Sequence, residues 1–427
     1  MLTLIAIVLL GLFALGVPIA LGMGMAAFTA IVSGGEIPLG VTAQRIQTGV
    51  DSFPLLAIPF FILAGALMNT GGITIRLVNF ANTLVGHLTG GLGHVVVVTN
   101  MIMAGMSGSA TADAAGTGSV LIPAMVRSGF SPSFSAALTA AASTIGPIIP
   151  PSIPFVMFGV LANVSIGRLF LGGAIPGVLM GLYLMLVCYV ISKRRGYARG
   201  EKAACGTVTN AFKEGLPALM LPVIILWGIV GGVVTPTEAA VIAVLYALLL
   251  GTVVYKELTP ARLLQVLGDA ALTTATILFI VGCASLLAWI LTREQAGPAM
   301  VKAVTSVSTD PRIVLLMINI ILLILGCFME SLSIMMLLVP VLMPLIKTVG
   351  IDPVHFGVVL TLNLMIGLIT PPVGMSMFIG CAIAKIKISD FAKEVPLMIV
   401  ALIAVLLMIS YIPELVLFLP NLIMGKG

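Results

Sequence analysis

Two stretches carry oxygen chemistry where the surroundings are apolar. The first is Met106-Ser-Gly-Ser-Ala-Thr-Ala-Asp-Ala-Ala-Gly-Thr-Gly-Ser119, and the second is Gly326-Cys-Phe-Met-Glu-Ser-Leu-Ser333. Downstream of each comes a tandem proline, in Gly146-Pro-Ile-Ile-Pro-Pro-Ser152 and in Gly367-Leu-Ile-Thr-Pro-Pro-Val-Gly374. Proline removes a backbone donor and clashes with the preceding turn, so each tandem should break its helix. Freed carbonyls beside hydroxyls and a carboxylate suit a hard cation such as Na+, while helix N-termini at the same breaks favour an anion.

Such chemistry needs elements that hold it in place, and the composition says what they are. The chain has 427 residues, 60% of them hydrophobic and only 8% charged, against a charged share of about 25% in soluble domains. It is therefore an integral membrane protein. Apolar runs recur from Leu2–Val32 to Val395–Leu419, and a crossing takes about 20 residues. They read as roughly ten to fourteen crossings and part-crossings. An all-α bundle follows, because a closed barrel would need short alternating strands. The run from Leu2 has no basic segment before it and no cleavage site, so it is expected to be a retained helix rather than a signal peptide. Broken backbone at membrane depth is tolerated only where it is buried in protein or lines a cavity. Breaks in corresponding positions of two halves point to a transporter's substrate and ion sites.

The halves are visible as a repeat. At an offset of 221, Pro123 falls on Pro344, Gly129 on Gly350, Pro132 on Pro353, Gly146 on Gly367, Pro150-Pro151 on Pro371-Pro372 and Gly159 on Gly380. Prolines and glycines align by chance far less readily than leucines do. The hydroxyl clusters correspond with a slip of one, Ser331-Leu-Ser333 against Ser109-Ala-Thr111. Each cluster is expected at the tip of a re-entrant hairpin. Residues 1–192 are read as the first inverted repeat, with a hairpin near 95–130 and a broken helix near 134–162. Residues 193–215 are read as a linker. Residues 216–427 form the second repeat, with a hairpin near 313–347 and a broken helix near 354–386. Lys193-Arg194-Arg195 and Arg199 make the linker basic, which puts it in the cytoplasm.

Bland readings stand beside the functional ones. Hydroxyls in membrane helices also pack closely or bond back to the backbone. Asp113 either contributes to a site, as intramembrane acids do, or caps a hairpin helix. Glu330 either binds an ion or a proton, or holds its tip by hydrogen bonds. Glu238, after Thr235-Pro-Thr237, reads as a first-turn acid. The five cysteines and three histidines show no ligand spacing. The 24 methionines read as filler, and Trp227 and Trp289 as interfacial anchors. Arg45, Arg76, Arg127, Arg168, Arg262, Arg293 and Arg312 sit mostly at run ends, where topology explains them. An anionic substrate is thus expected to rest on helix ends, hydroxyls and the Na+ charge.

Along nearly its whole length the chain resembles the large membrane subunit of the tripartite ATP-independent periplasmic (TRAP) transporters. The resemblance is carried by Asp51-Ser-Phe-Pro-Leu-Leu-Ala-Ile-Pro-Phe-Phe61, Leu63-Ala-Gly-Ala-Leu-Met-Asn69, Met106 to Asp113, Gly146 to Phe155, Thr235-Pro-Thr-Glu-Ala-Ala240 and Ile369-Thr-Pro-Pro-Val-Gly374. It implies an ion-transporter-type elevator fold of two inverted repeats, each with scaffold helices, a re-entrant hairpin and a broken helix. It also implies Na+-driven symport of sialic acid or a C4-dicarboxylate across the bacterial inner membrane, which the chain would cross many times amid phospholipid. A periplasmic binding protein would deliver the substrate, and a small four-helix membrane subunit, expected as a separate polypeptide, would brace the scaffold. By the same resemblance, Ser107, Ser109 and Thr111 would form one Na+ site with carbonyls around Gly146 to Pro150. Gly326, Glu330 and Ser331 would form another with the carbonyls of Gly367, Thr370 and Pro371. The substrate would lie between them, bordered by Ser109, Asp113, Pro151 and Ser152 on one side and by Ser333 and Pro372 on the other.

Other classes fit less well. The chain has no His-Glu metal motif, Gly-x-Ser-x-Gly elbow or Walker-type phosphate loop, so neither an enzyme nor a self-contained ATP pump is expected, and no nucleic-acid partner. A channel is one rival. The other is a stand-alone Na+-coupled dicarboxylate or citrate carrier that works without a binding protein.

Overall fold

The computed structural model describes residues 1–35 and 37–425, and its described residues form helices without a named strand. In chain order come α1 (Leu2–Ala14), α2 (Ile19–Gly34), α3 (Gly40–Val50), α4 (Ala57–Thr70) and α5 (Ile73–Val85), then a hairpin of α6 (Gly91–Ser107) and α7 (Ala110–Arg127). A broken helix follows as α8 (Pro132–Ser143) and α9 (Ile153–Ala162), and α10 (Ile166–Arg195) closes the first half. The second half repeats the plan. After α11 (Cys205–Val230), α12 (Pro236–Leu249), α13 (Pro260–Arg293) and α14 (Ala296–Thr305) comes the hairpin α15 (Pro311–Gly326) and α16 (Ser331–Thr348). The second broken helix is α17 (Pro353–Gly367) and α18 (Met375–Ala384), followed by α19 (Ile388–Glu394), α20 (Pro396–Tyr411) and α21 (Glu414–Met424).

The breaks between helices have local causes. Ser131, Ser152, Ser165, Asp310 and Asp352 each accept a first-turn amide, and Pro132, Pro311 and Pro353 take the first helical position, where no donor is needed. Thr235 and Glu238 form a reciprocal capping box. Among the described residues, six helices are long and apolar enough to cross a membrane alone, and α19 with α20, bent by 54°, would make a seventh. Nine further apolar helices among the described residues are shorter, at 10–17 residues. Helix α10 runs through Lys193 to Arg195 and α11 starts at Cys205, so most of the linker read over 193–215 is helical and only 196–204, with Arg199 and Lys202, lies between the helices.

The centre consists of α8 and α17. Every residue from Phe134 to Ser143 and from Val354 to Gly367 is buried, as expected for helices apolar on all faces. The short helix of each repeat packs into the other repeat: α18 against α7 and α8, α9 against α16 and α17. Phe158 of α9 meets Phe356 of α17 edge-on at 6.1 Å. Gly357 permits this, since a Cβ there would lie 2.5 Å from the Phe158 ring.

The structure moves the slip between the repeats. Helices α7 and α16 begin at Ala110 and Ser331 and end at Arg127 and Thr348, an offset of 221 at both ends, so Glu330 rather than Ser331 stands where Ser109 does. Ahead of the tips the offset is 219, because α6 ends at Ser107 and α15 at Gly326. Beyond the prolines it is 222, for α9 and α18 start at Ile153 and Met375. The second half has two more residues in its hairpin tip and one more between its tandem proline and the following helix, although its break as a whole, 368–374, is shorter than 144–152 because α17 runs further than α8.

Candidate cation and substrate site

In the first repeat the hairpin tip turns at Gly108, whose φ of +59° suits glycine. Helix α7 then starts from Ser109, whose hydroxyl accepts the Ala112 amide at 3.4 Å and lies 3.2 Å from the Thr111 hydroxyl. The buried Ser107 hydroxyl accepts the Ser109 amide at 3.3 Å. Ser107, Ser109 and Thr111 therefore form one cluster at the tip. It is fastened to the first break, because the Ile153 amide donates to the Gly108 carbonyl at 3.4 Å. A Cβ on Gly108 would lie 2.7 Å from the Pro151 carbonyl oxygen, so only glycine fits here on two counts. Among the described residues, the carbonyls of Gly146 and Pro150 accept no hydrogen bond.

Asp113 does not cap α7, since Ser109 does, one turn earlier. Its carboxyl is fully buried and points at the break: a Cβ added to Gly146 would meet Asp113 Oδ2 at 2.3 Å. Neither carboxyl oxygen has a hydrogen-bond partner in the structure; Ser107 interacts with the group without reaching hydrogen-bond geometry. An acid buried this way is costly unless something pairs with it. Ser152 spends its hydroxyl locally, donating to the Pro147 carbonyl and accepting the Phe155 amide at 3.2 Å. With the buried Pro151 it shapes the break.

The second repeat builds the same junction with different groups. Glu330 caps α16, accepting the Ser333 amide at 3.1 Å and the Ser333 hydroxyl at 3.3 Å through Oε2. Of the two readings of Glu330, the geometry shows hydrogen bonds that hold the tip. Ser333 is buried and committed to that cap, while the Ser331 hydroxyl donates to the Leu364 carbonyl at 3.4 Å. The tip is tied to the second break by the Val373 amide, which donates to the Cys327 carbonyl at 3.1 Å. Gly326 and Gly367 touch backbone to backbone, a Cβ on Gly367 falling 2.6 Å from the Gly326 oxygen. The carbonyls of Gly326, Thr370 and Pro371 accept nothing among the described residues, and that of Gly367 takes only the Thr370 amide at 3.1 Å. Both tandem peptides, Pro150–Pro151 and Pro371–Pro372, are cis.

The two junctions meet through residues that sequence reasoning missed. Ser143, at the end of α8, donates to Ser376, at the start of α18, across 3.4 Å; both are fully buried. A second buried network joins Asn363 of α17 to Asn319 of α15 at 2.9 Å, and Asn319 to Ser410 of α20 at 3.0 Å. In the first hairpin Asn100 accepts from Thr117 at 3.3 Å. Asn100 and Asn319 each stand seven residues before the end of their hairpin's first arm, and that shared spacing inside apolar runs was the available signal. Three of the arginines have local duties: Arg45 covers Trp289 at 4.8 Å, Arg76 pairs with Glu257 at 2.8 Å, and Arg168 binds Asn421 at 2.7 Å. The arrangement offers two nests of unpaired carbonyls and hydroxyls, one with a buried carboxyl, in a water-poor centre. That is an environment for holding small cations and, between them, an anion.

Residues 6–415 match the family model described as tripartite ATP-independent periplasmic transporter, DctM component. The chain is 44% identical to the sialic acid TRAP transporter large permease protein SiaM of Vibrio cholerae, covering 98% of both chains. It is 45% identical to the isethionate TRAP transporter permease protein DctMQ of Oleidesulfovibrio alaskensis over 96% of this chain and 66% of that longer one. The crystal structure of the YdaH transporter of Alcanivorax borkumensis superposes with a TM-score of 0.66 over 88% of this chain and 89% of that one, at 14% identity, a likeness of fold alone.

Proposed function

For this chain, which belongs to the DctM component family of the tripartite ATP-independent periplasmic transporters and is a large permease of the bacterial inner membrane, we propose Na+-driven import of an organic acid. The observation that carries this reading is the doubled junction: each hairpin tip is hydrogen-bonded to a helix break in which some carbonyls lack donors, those of Gly146 and Pro150 in one and of Thr370 and Pro371 in the other. Cations held there would supply the positive charge that a carboxylate or sulfonate needs, which agrees with Arg45, Arg76 and Arg168 being engaged elsewhere. Ser107, Ser109, Thr111 and Asp113 with the Gly146 and Pro150 carbonyls hold one Na+. Gly326, Gly367, Thr370 and Pro371 hold another through their carbonyls. The substrate, of the sialic acid, isethionate or C4-dicarboxylate class, binds between the breaks beside Ser143 and Ser376. A rigid-body elevator movement of hairpins and broken helices then carries it across. A periplasmic binding protein delivers it, and a small membrane subunit braces the scaffold. Each net charge entering gains about 2.3 kcal/mol per 100 mV, so more than one Na+ per monoanion makes import electrogenic.

The test is uptake of a radiolabelled organic-acid panel into liposomes holding this chain with its small subunit, with the Na+ gradient and added binding protein varied. Saturable uptake that needs both supports the proposal. Uptake by this chain alone would place it with stand-alone carriers, and non-saturating flux insensitive to the gradient would make it a channel.

A further inference from the structure

A cavity of about 440 Å³ opens where the end of α10 meets the bend between α19 and α20. Its polar wall is Arg194, Arg195, Lys393 and Glu394, three cations against one carboxylate. Glu394 is already held by Arg195 through two contacts of 3.0 and 2.8 Å, and Arg195 also lies over the Phe134 ring at 5.6 Å. Arg195 is therefore fixed in place with its partner. Arg194 has no ion-pair partner among the described residues, and Lys393 has only an exposed contact with Asp390 at 3.1 Å, the kind of pair that contributes little. On the other side the cavity is lined by Leu397 and Val400, three residues apart on α20 and 43% and 61% exposed. Cations at one level and an outward apolar strip beside them make an amphiphilic site.

We propose that this cavity binds the headgroup of an anionic phospholipid of the cytoplasmic leaflet, with Arg194 and Lys393 on the phosphate and an acyl chain along Leu397 and Val400. The side of the membrane follows from the basic end of α10, Lys193 to Arg195. Anionic lipid there attracts juxtamembrane cations, and a soluble phosphate would have no use for the apolar strip. The walls belong to different repeats, so a bound lipid would span the seam between α10 and the α19–α20 bend, next to the Arg195–Glu394 bridge. The site is separate from the transported species.

Native mass spectrometry of the full chain, purified from nanodiscs containing equal phosphatidylglycerol and phosphatidylcholine, tests this directly. The wild type should retain phosphatidylglycerol in preference to phosphatidylcholine, and excess glycerol phosphate should not displace it. Arg194→Gln with Lys393→Gln should lower that preference by roughly 30-fold, two cations being removed from the phosphate. Lys202→Gln with Lys213→Gln, which removes the same charge elsewhere, should leave it unchanged, and Arg194→Lys with Lys393→Arg should keep most of it. Equal retention of the two lipids by the wild type would overturn the proposal without any variant. So would an equal loss in both neutralised pairs, which means diffuse attraction only, or displacement by glycerol phosphate, which means a soluble-anion site.

Discussion

The contact between Gly326 and Gly367 offers the sharpest test of how the second junction works. Replacing Gly367 with alanine would place a methyl 2.6, 2.7 and 2.8 Å from the oxygen, carbonyl carbon and Cα of Gly326. Carbon atoms pack at about 3.5–4.0 Å, and all three neighbours are backbone, so no side chain can swing aside. Helices α15 and α17 would have to part by about 1 Å. Crowding of this kind costs about 1–3 kcal/mol. If Na+ binding requires the closed contact, that cost is taken from binding, and the Na+ concentration for half-maximal uptake should rise roughly 5- to 150-fold. Gly350→Ala is the matched control. Its φ of +74° disfavours alanine, yet nothing lies within 4 Å of the new methyl, so it should cost about 1–2 kcal/mol of stability and leave Na+ dependence alone. Proteoliposome uptake against Na+ concentration, with a thermal scan of both variants, separates the two effects. A Gly367→Ala protein that is destabilised but keeps wild-type Na+ half-saturation would refute the assignment of this junction to cation binding.

Two further expectations rest on single contacts. Asp113→Asn keeps the volume of the side chain and removes its capacity to carry a negative charge at a place with no hydrogen-bond partner; uptake should fall by about tenfold or more while the protein stays monodisperse, and unaltered Na+-dependent uptake would reduce Asp113 to a packing residue. The Arg195–Glu394 bridge, with side chains 40% and 14% exposed, should show a coupling of about 1 kcal/mol in a double-mutant cycle read by thermal unfolding, and a coupling near zero would show that it does not fasten α10 to α19.

What the sequence disclosed was the part written in backbone punctuation. Pro150-Pro151 and Pro371-Pro372 announce the breaks because proline acts wherever it stands, and the hydroxyls at Ser107, Ser109 and Thr111 announce a tip because they are out of place among apolar runs. Hydrogen bonding between distant segments leaves no such mark. Ser143 and Ser376 are 233 residues apart, and each alone reads as an ordinary small residue in a helix. The Asn319–Asn363–Ser410 network was hidden for the same reason. Glu330 was ambiguous because an acid at a tip serves an ion and a helix N-terminus through the same oxygens. Its place opposite Ser109 is the one the offset of 221 gives; matching serine to serine with a slip of one hid it, and the shared offset of the α7 and α16 boundaries restores it.

The residues added in the second tip bear on the proposed mechanism. The two halves share a plan, yet their breaks are unequal in the structure: Pro150, Pro151 and Ser152 are buried, while Pro372, Val373 and Met375 are exposed. The first tip uses glycine and serine in a short turn and presses its carboxyl, Asp113, inward against Gly146; the longer second tip turns its carboxyl, Glu330, back onto its own helix and leaves Phe328 60% exposed. A perfectly symmetric pair of junctions would give either side of the membrane the same access at the same time. If the proposed carrier alternates its access, one junction must be closed while the other is open, and a buried break in one half with an exposed break in the other agrees with that. Under that proposal the departures from exact repetition, at the tip and after the prolines, would belong to the transport device as much as the repeat does.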